Sequence, residues 1–441
     1  MILDIQSPIR SLTALFASWK VFLFSIALFS SVAPDYDTST SLFLTRLYSS
    51  SAPSPISLSH RLTRWDALYF IHASAGGGKV YEQEWAFGHG LSGLVSFFLT
   101  PPTSSSSSSS SERAVAAGWE PLVAILVANV SHLIGVLALY HFTVVVSRNR
   151  RLALVAAALH VISPAGLFLS APYAESTYSC LTFLGNWAFA TAYSKGGVTR
   201  GAYIVGAGAL FGLATVFRSN GLGSGLLFAV EALRCAAVLL GRPSLPAVGA
   251  LIGPIIGGLC VAAGGAAPQL AAWVRYCSDA VDARPLRPWC AKTVPSIYGF
   301  VQEYYWNVGF LRYWTSNQIP LFVLASPVLA LLIVSGLQVS QNPRWVLPLV
   351  PAAGDAQRRL FVRALAGTQA FVALLAITNY HVQIVNRLSS GYVVWYWWIA
   401  AWVLSQRGNS GDGSFGSGVV IFFVMYAGIQ ACLFASFLPP A

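Results

Sequence analysis

The stretch "HRLTRWDALYF", His60 to Phe70, places a carboxylate, Asp66, directly between Trp65 and Ala67 in a chain of which only 9% of residues are charged. A carboxylate at membrane depth costs a few kcal/mol unless it is satisfied, so it needs a reason to be there. Such a group can take up a proton, or it can hold a neighbouring cation; here an ion pair with Arg64 or Arg61 that fixes the loop is the plain alternative. Four further segments carry side chains able to do chemistry. "YEQEWAFG" supplies Glu82 and Glu84, two apart, so that on a helix only one of them faces Asp66; either could be a solvated rim charge. "SPAGLFLSAPYAES" supplies Glu175 in the first turn after Pro172, where an acid also caps a helix N-terminus. "FRSNG" supplies Arg218, whose guanidinium suits either the carbonyls at a helix end or phosphate oxygens. "NYHVQIVNR" supplies His381, which as readily satisfies a span end as it binds a ligand.

A fifth region, 276–317, contains "YCSDAVDARPLRPWC" and "PSIYGFVQEYYWNVGFLRYWTSNQIP". Its aromatic density fits a belt helix along the membrane interface, though aromatic faces also stack on sugar rings. Cys277 and Cys290 close a thirteen-residue step and could pair in an oxidising lumen, adding about 2–4 kcal/mol. Cys and His never gather at metal-site spacing, and no GxxxxGK[ST] phosphate loop occurs, so nothing points to a structural metal or a nucleotide-driven engine.

The elements that must hold these groups are membrane spans. The chain has 441 residues, 56% hydrophobic and 13% aromatic, with a mean hydropathy of +0.63. Soluble domains run near one-quarter charged, so the composition predicts an all-α polytopic membrane protein, one bundle over 1–441. Spans are expected at about 12–33, 118–146, 152–171, 174–194, 201–217, 221–241, 245–273, 318–340, 362–380, 391–406 and 416–437, roughly eleven in all. Trp85–Leu99 is too short for a confident span, and Ser104–Ser111 is a flexible spacer within a first large loop, 34–117; a second, aromatic loop covers 274–317. The first apolar run lacks a cleavage box and reads as a retained anchor. Asn129-Val130-Ser131, an Asn-x-Ser acceptor, falls inside a span.

With the N-terminus in the cytosol, basic loops such as "SRNRR" and "SKGGVTR" fall inside. Asp35, Asp37, Asp66, Glu82, Glu84, Glu112, Glu120, Glu175, Asp279, Asp282 and Glu303 then fall outside, against Asp4, Glu231, Asp355 and Asp412 inside. One working face is the simplest account. The net charge of +11 belongs to membrane-surface loops, since no Lys/Arg-rich tract suggests nucleic acid.

"RWDALYF", "YEQEWAFG", "SPAGLFLSAPYAES", "FRSNG", "YWNVGFLRYW" and "HVQIVNR", in this order from Arg64 to Arg387, resemble the GPI mannosyltransferase 2 family. Gly88-His89 departs from the Phe-Pro of many members. The resemblance implies a GT-C glycosyltransferase bundle in the endoplasmic-reticulum membrane with a lumenal active site and, as catalytic base, Asp66. It implies dolichyl-phosphate-mannose as lipid-linked donor, a GPI-precursor glycolipid as acceptor, an α-1,6 linkage formed with inversion, no cofactor or metal, and a small membrane partner subunit. Arg64, Trp65, Glu82, Glu84, Glu175, Arg218, Trp306, Asn307, Arg312, His381 and Gln383 are the residues expected at the substrates, with Arg218, then Arg64 and Arg312, as candidates for the donor phosphate. A phosphate leaving group needs positive charge rather than a second carboxylic acid, which suits a site with one essential carboxylate. A lipid or sugar transporter, and a non-catalytic subunit of a membrane complex, are the competing readings.

Overall fold

The computed structural model of the protein describes residues 4–32, 34–48, 57–75, 78–100, 118–278, 287–347, 355–405 and 414–439. The serine spacer, Gly76-Gly77, Glu112, Asp279, Asp282 and Asp412 lie outside them. Every regular element among the described residues is helical. In chain order the α-helices are α1 (Pro8–Phe29), α2 (Ser39–Tyr48), α3 (Leu58–Leu62), α4 (Ala67–Ala75), α5 (Gly90–Leu99), α6 (Glu120–Ser147), α7 (Arg150–Val161) and α8 (Glu175–Ala192). They continue as α9 (Gly197–Phe217), α10 (Gly225–Gly241), α11 (Leu245–Cys277), α12 (Ile297–Phe300), α13 (Ile319–Gln341), α14 (Asp355–Asn379), α15 (Val385–Leu388), α16 (Val394–Ser405) and α17 (Ser414–Ala435).

Eight helices among the described residues are long and apolar enough to cross a bilayer, against the roughly eleven spans expected. The three other expected spans take different forms. The run 152–171 is the twelve-residue α7 followed by a short 3-10 turn, Gly166–Leu169, because Pro164 cannot continue the helix. The run 391–406 is the twelve-residue α16, and 174–194 is α8, whose 18 residues include buried Glu175, Ser176, Thr177 and Asn186.

A twelve-residue helix rises only about 18 Å, far short of a roughly 30 Å hydrocarbon core. Helices α7 and α16 pack on each other. The irregular segments that extend them, 162–174 and 389–393, are buried almost throughout. Non-helical backbone at membrane depth is tolerated only when protein encloses it. Lys20, in the middle of α1, shows how this is met: its Nζ donates to the Leu169 carbonyl at 3.2 Å and the Ser170 hydroxyl at 2.6 Å. Around α16 lies the main core, with Trp395, Tyr396 and Trp397 fully buried and the Trp397 indole donating to Thr143 Oγ1 at 2.7 Å. Helices α9 and α11 approach closely through small residues, as membrane helices do; a Cβ on Gly208 would stand 2.3 Å from the Gly257 Cα. Short helices and a recessed loop thus leave a hollow at one end of the bundle.

Candidate active site

Asp66 stands in a break between two helices, not on one. The pattern Leu62, Trp65, Leu68, Tyr69, His72 suggests a continuous interfacial helix, yet α3 stops at Leu62 and α4 starts at Ala67. Between them Trp65 adopts a left-handed backbone, φ 54°, which a bulky residue rarely holds. Strain of order 1–3 kcal/mol at such a residue persists only where its surroundings over-determine it. Here the Trp65 ring packs on Phe437 at 5.0 Å, and the neighbouring Arg64 carbonyl accepts from the buried Tyr173 hydroxyl at 3.0 Å. The turn aims Asp66 into a cavity of about 550 Å³.

The carboxylate is met there by Arg387, whose Nη1 donates to Asp66 Oδ2 at 2.8 Å. The same nitrogen lies 3.7 Å from Oε1 of Glu175, which is also ion-paired with Arg218. Glu175 is only 1% exposed, and its other oxygen has no hydrogen-bond partner. A single buried carboxylate therefore draws two guanidiniums together that would otherwise repel. Arg387 is further confined over the rings of Phe168 and Tyr173, at 5.0 and 5.4 Å. Arg218 follows the last residue of α9, and its Nε reaches Asn220 Oδ1 at 3.4 Å. Two guanidiniums and three carboxylates, the third being Asp37, line the same hollow.

Gly88 sets the distance between this group and the loop carrying the acids. A Cβ at Gly88 would fall 1.9 Å from the carbonyl oxygen of Phe217, the residue before Arg218. The departure from Phe-Pro at this point is thus a position where the chain must pass another backbone at close range.

Of the residues expected at the substrates, Trp65, Glu175, Arg218, Trp306, His381 and Gln383 line the cavity with Asp66. The Gln383 carbonyl accepts from the Tyr313 hydroxyl at 3.2 Å, and the His381 ring lies 4.7 Å from Tyr313. Burial lowers the His381 imidazole below its ordinary value, with nearby Asp66 working in the opposite sense.

Five expected residues are placed elsewhere. Arg64 is fully buried and, with Arg61, pairs with Asp35, at 2.8 Å in the case of Arg64. This also corrects the plain reading of Asp66, since Asp35 rather than Asp66 is the carboxylate that both arginines meet. Glu82 is buried, neither a rim charge nor part of the cavity wall. Its carboxylate accepts from Arg287 Nε at 2.8 Å, Tyr305 OH at 2.9 Å and Trp289 Nε1 at 3.3 Å. Burial pushes the Glu82 carboxyl up, but these donors overcome it and hold the group below the usual carboxylate range. Glu84, also buried, receives the Val80 and Tyr81 amides at 2.6 and 2.9 Å and pairs with His72. Arg312 is half-exposed and meets Glu303 at 3.1 Å, the kind of surface pair worth little. Asn307, with φ 50°, turns the chain after a wide helical turn, Val301–Tyr305, and does not line the cavity.

The aromatic loop is not one belt helix. It comprises short turns at Pro288–Ala291, Ile297–Phe300 and Val301–Tyr305, with Trp289 fully buried. Cys277 and Cys290 are disulfide-bonded beneath it. Glu82 then fastens this loop to the first one, so that Tyr298, Gln302 and Trp306 complete the cavity.

Among the charged residues on the cavity wall, Asp37 and Arg387 are missing from the expected set. "HVQIVNR" marks the segment, but nothing local distinguishes an arginine that pairs with a carboxylate 321 positions away. Among the described residues no group of three or more His, Cys, Asp or Glu is arranged to hold a metal ion.

Residues 10–441 match the family described as "Mannosyltransferase (PIG-V)". Among curated relatives, "GPI mannosyltransferase 2" of Gibberella zeae is 50% identical, covering 100% of both chains. The proteins of the same name from Chaetomium globosum and Aspergillus fumigatus are 45% and 40% identical, over 98% and 99% of this chain and 96% and 94% of theirs. Among solved structures, the apo oligosaccharyltransferase of Archaeoglobus fulgidus aligns with 96% of this chain and 56% of its own, at 14% identity and a TM-score of 0.43. By its sequence, over nearly its whole length, the chain belongs to the PIG-V mannosyltransferase family.

Proposed function

We propose that this mannosyltransferase takes mannose from a dolichyl-phosphate donor and transfers it to the first mannose of a GPI-anchor precursor, forming an α-1,6 linkage with inversion. The observation that carries the reading is the grouping of Asp66, Arg387, Glu175 and Arg218 on the wall of one cavity. In this reading Asp66 accepts the proton of the acceptor hydroxyl as it attacks the anomeric carbon. A positioned base contributes typically about 10²–10⁴-fold. The leaving group is a lipid phosphate, and the two guanidiniums offer charge where its negative charge develops. Arg387 takes the place that Arg64 and Arg312 were expected to share with Arg218, because neither of those lines the cavity. Trp65, Tyr298 and Trp306 offer aromatic faces for sugar rings, while the isoprenoid tail contributes its own membrane affinity. The names of the relatives support the acceptor class; in this reading the enzyme works in the endoplasmic-reticulum membrane with the cavity opening to the lumen. Family membership favours an enzyme over the transporter and subunit readings.

The test is Asp66→Asn in cells lacking their own enzyme, with protein level measured alongside the GPI intermediates. Accumulation of the one-mannose precursor at normal protein level is the expected result. Unimpaired anchor assembly by the variant would remove Asp66 from the base role.

A further inference from the structure

A second polar concavity, of about 480 Å³, lies at the other end of the bundle. Chain direction fixes its place. Helix α8 runs from Glu175 at the active-site cavity to the Tyr193–Lys195 turn, and α9 returns from Gly197 to Arg218. Helix α14 likewise starts at Asp355 and ends at Asn379, just before His381. Lys195, Arg200, Arg234 and Arg358 line the concavity. The 18 residues of α8 separate the two hollows by about 27 Å of helix, most of a membrane's hydrocarbon thickness.

Among the described residues, the four cations meet only two carboxylates. Buried Glu231 takes both Arg200 and Arg234, the latter in a two-pronged bond of 2.8 and 3.0 Å, and Arg358 meets Asp355 at 3.3 Å. Lys195 is exposed and has no ion pair among the described residues. Arg358 is only 9% exposed, yet its Nε is buried without any hydrogen-bond partner. A concavity lined by three guanidiniums and an unpaired ammonium, with positive charge in surplus, suits an oxyanion. The volume exceeds a simple ion and matches a headgroup.

We propose that this concavity binds the phosphate of an anionic glycerophospholipid from the leaflet opposite the active-site cavity. Basic pockets between transmembrane helices are suited to such headgroups. Lys195 closes over the phosphate from the rim, and Arg200, Arg234 and Arg358 line the concavity beneath it. The proposal does not depend on which sugar or acceptor the enzyme uses.

The test is lipid retention by the purified full chain, followed by native mass spectrometry with phosphatidic acid, phosphatidylcholine and inorganic phosphate in separate arms. Phosphatidic acid should be retained in preference to phosphatidylcholine, and inorganic phosphate at equal concentration should not displace it. Lys195→Gln should weaken retention about fivefold, and Lys195→Glu about fivefold again. Position 195 is exposed, so both variants should keep the unfolding temperature of the lipid-free protein. Equal retention of the two lipids, or unchanged retention in Lys195→Gln, overturns the proposal. Displacement by inorganic phosphate overturns the lipid as the source of the anion.

Discussion

Arg387 donates to the Asp66 carboxylate at 2.8 Å while standing 3.7 Å from Glu175, so one guanidinium couples the candidate base to the buried acid that also holds Arg218. Base and cations therefore form one ionic chain, and a change at any member should be felt at the others.

Replacement of Arg387 by Lys keeps a charge but loses the planar fork and the stacking on Phe168 and Tyr173. In a transfer assay with purified enzyme, kcat should fall by about 10²-fold or more, the scale seen when one charge-stabilising donor is removed. A variant within twofold of the parent would mean that Arg387 serves only to hold the fold.

Glu175→Gln removes the buried carboxylate that two partly buried guanidiniums share. Breaking a buried pair in this way typically costs about 3–5 kcal/mol. Thermal unfolding should drop clearly, and activity should be lost even at temperatures where the variant stays folded. A second change, Arg218→Gln, should restore part of the stability and none of the activity.

Gly88→Ala tests the close passage beside Phe217. A Cβ 1.9 Å from a carbonyl oxygen forces backbone to move, and overpacking of this kind costs about 1–3 kcal/mol or more. Because Arg218 is the next residue after Phe217, the loss of activity should exceed the loss of folded protein, as compared by assay and by size-exclusion recovery.

Reduction of Cys277–Cys290, or Cys277→Ser with Cys290→Ser, should lower stability by about 3 kcal/mol in the chain-entropy view. The loosened loop carries Trp306, so the apparent KM should rise before the helical bundle melts, measured with and without reductant.

Acid should destabilise the loops around the site. Burial brings the His60 and His89 imidazoles down to about 4, helped by Arg64 and Arg61 for the first and Lys79 for the second. The unfolded chain takes up these protons near pH 6.5 and the folded chain only near 4, so stability falls as pH drops across that window. Unfolding temperatures from pH 7.5 to 4.5 should show the decline, and His89→Gln should flatten it.

Much of this architecture was legible in the residues, for reasons that differ by element. Long apolar runs such as Glu120–Ser147 and Leu245–Cys277 leave no alternative to a membrane helix. Asp66, Glu175 and Arg218 stood out because charged residues are scarce in apolar surroundings. The runs 152–171 and 391–406 misled because a buried irregular segment is as apolar as a helix, and hydropathy does not distinguish them. Glu82 and Arg64 were beyond reach for another reason: their partners, Arg287 and Asp35, lie far along the chain, and only folding reveals who neutralises whom.

The recessed loop between α7 and α8 also decides which distant helices enclose the site. Lys20 of the first helix grips it from one side. From the other side α17 supports it, with Ala427 against Gly166 and Phe434 against Phe168 and Tyr173. The wall behind Asp66 is therefore closed by two helices far apart in the sequence, α1 and α17. Loss of α17 would open that wall while leaving Asp66, Arg387, Glu175 and Arg218 in the chain, so the ionic partners of the site and its enclosure are separable.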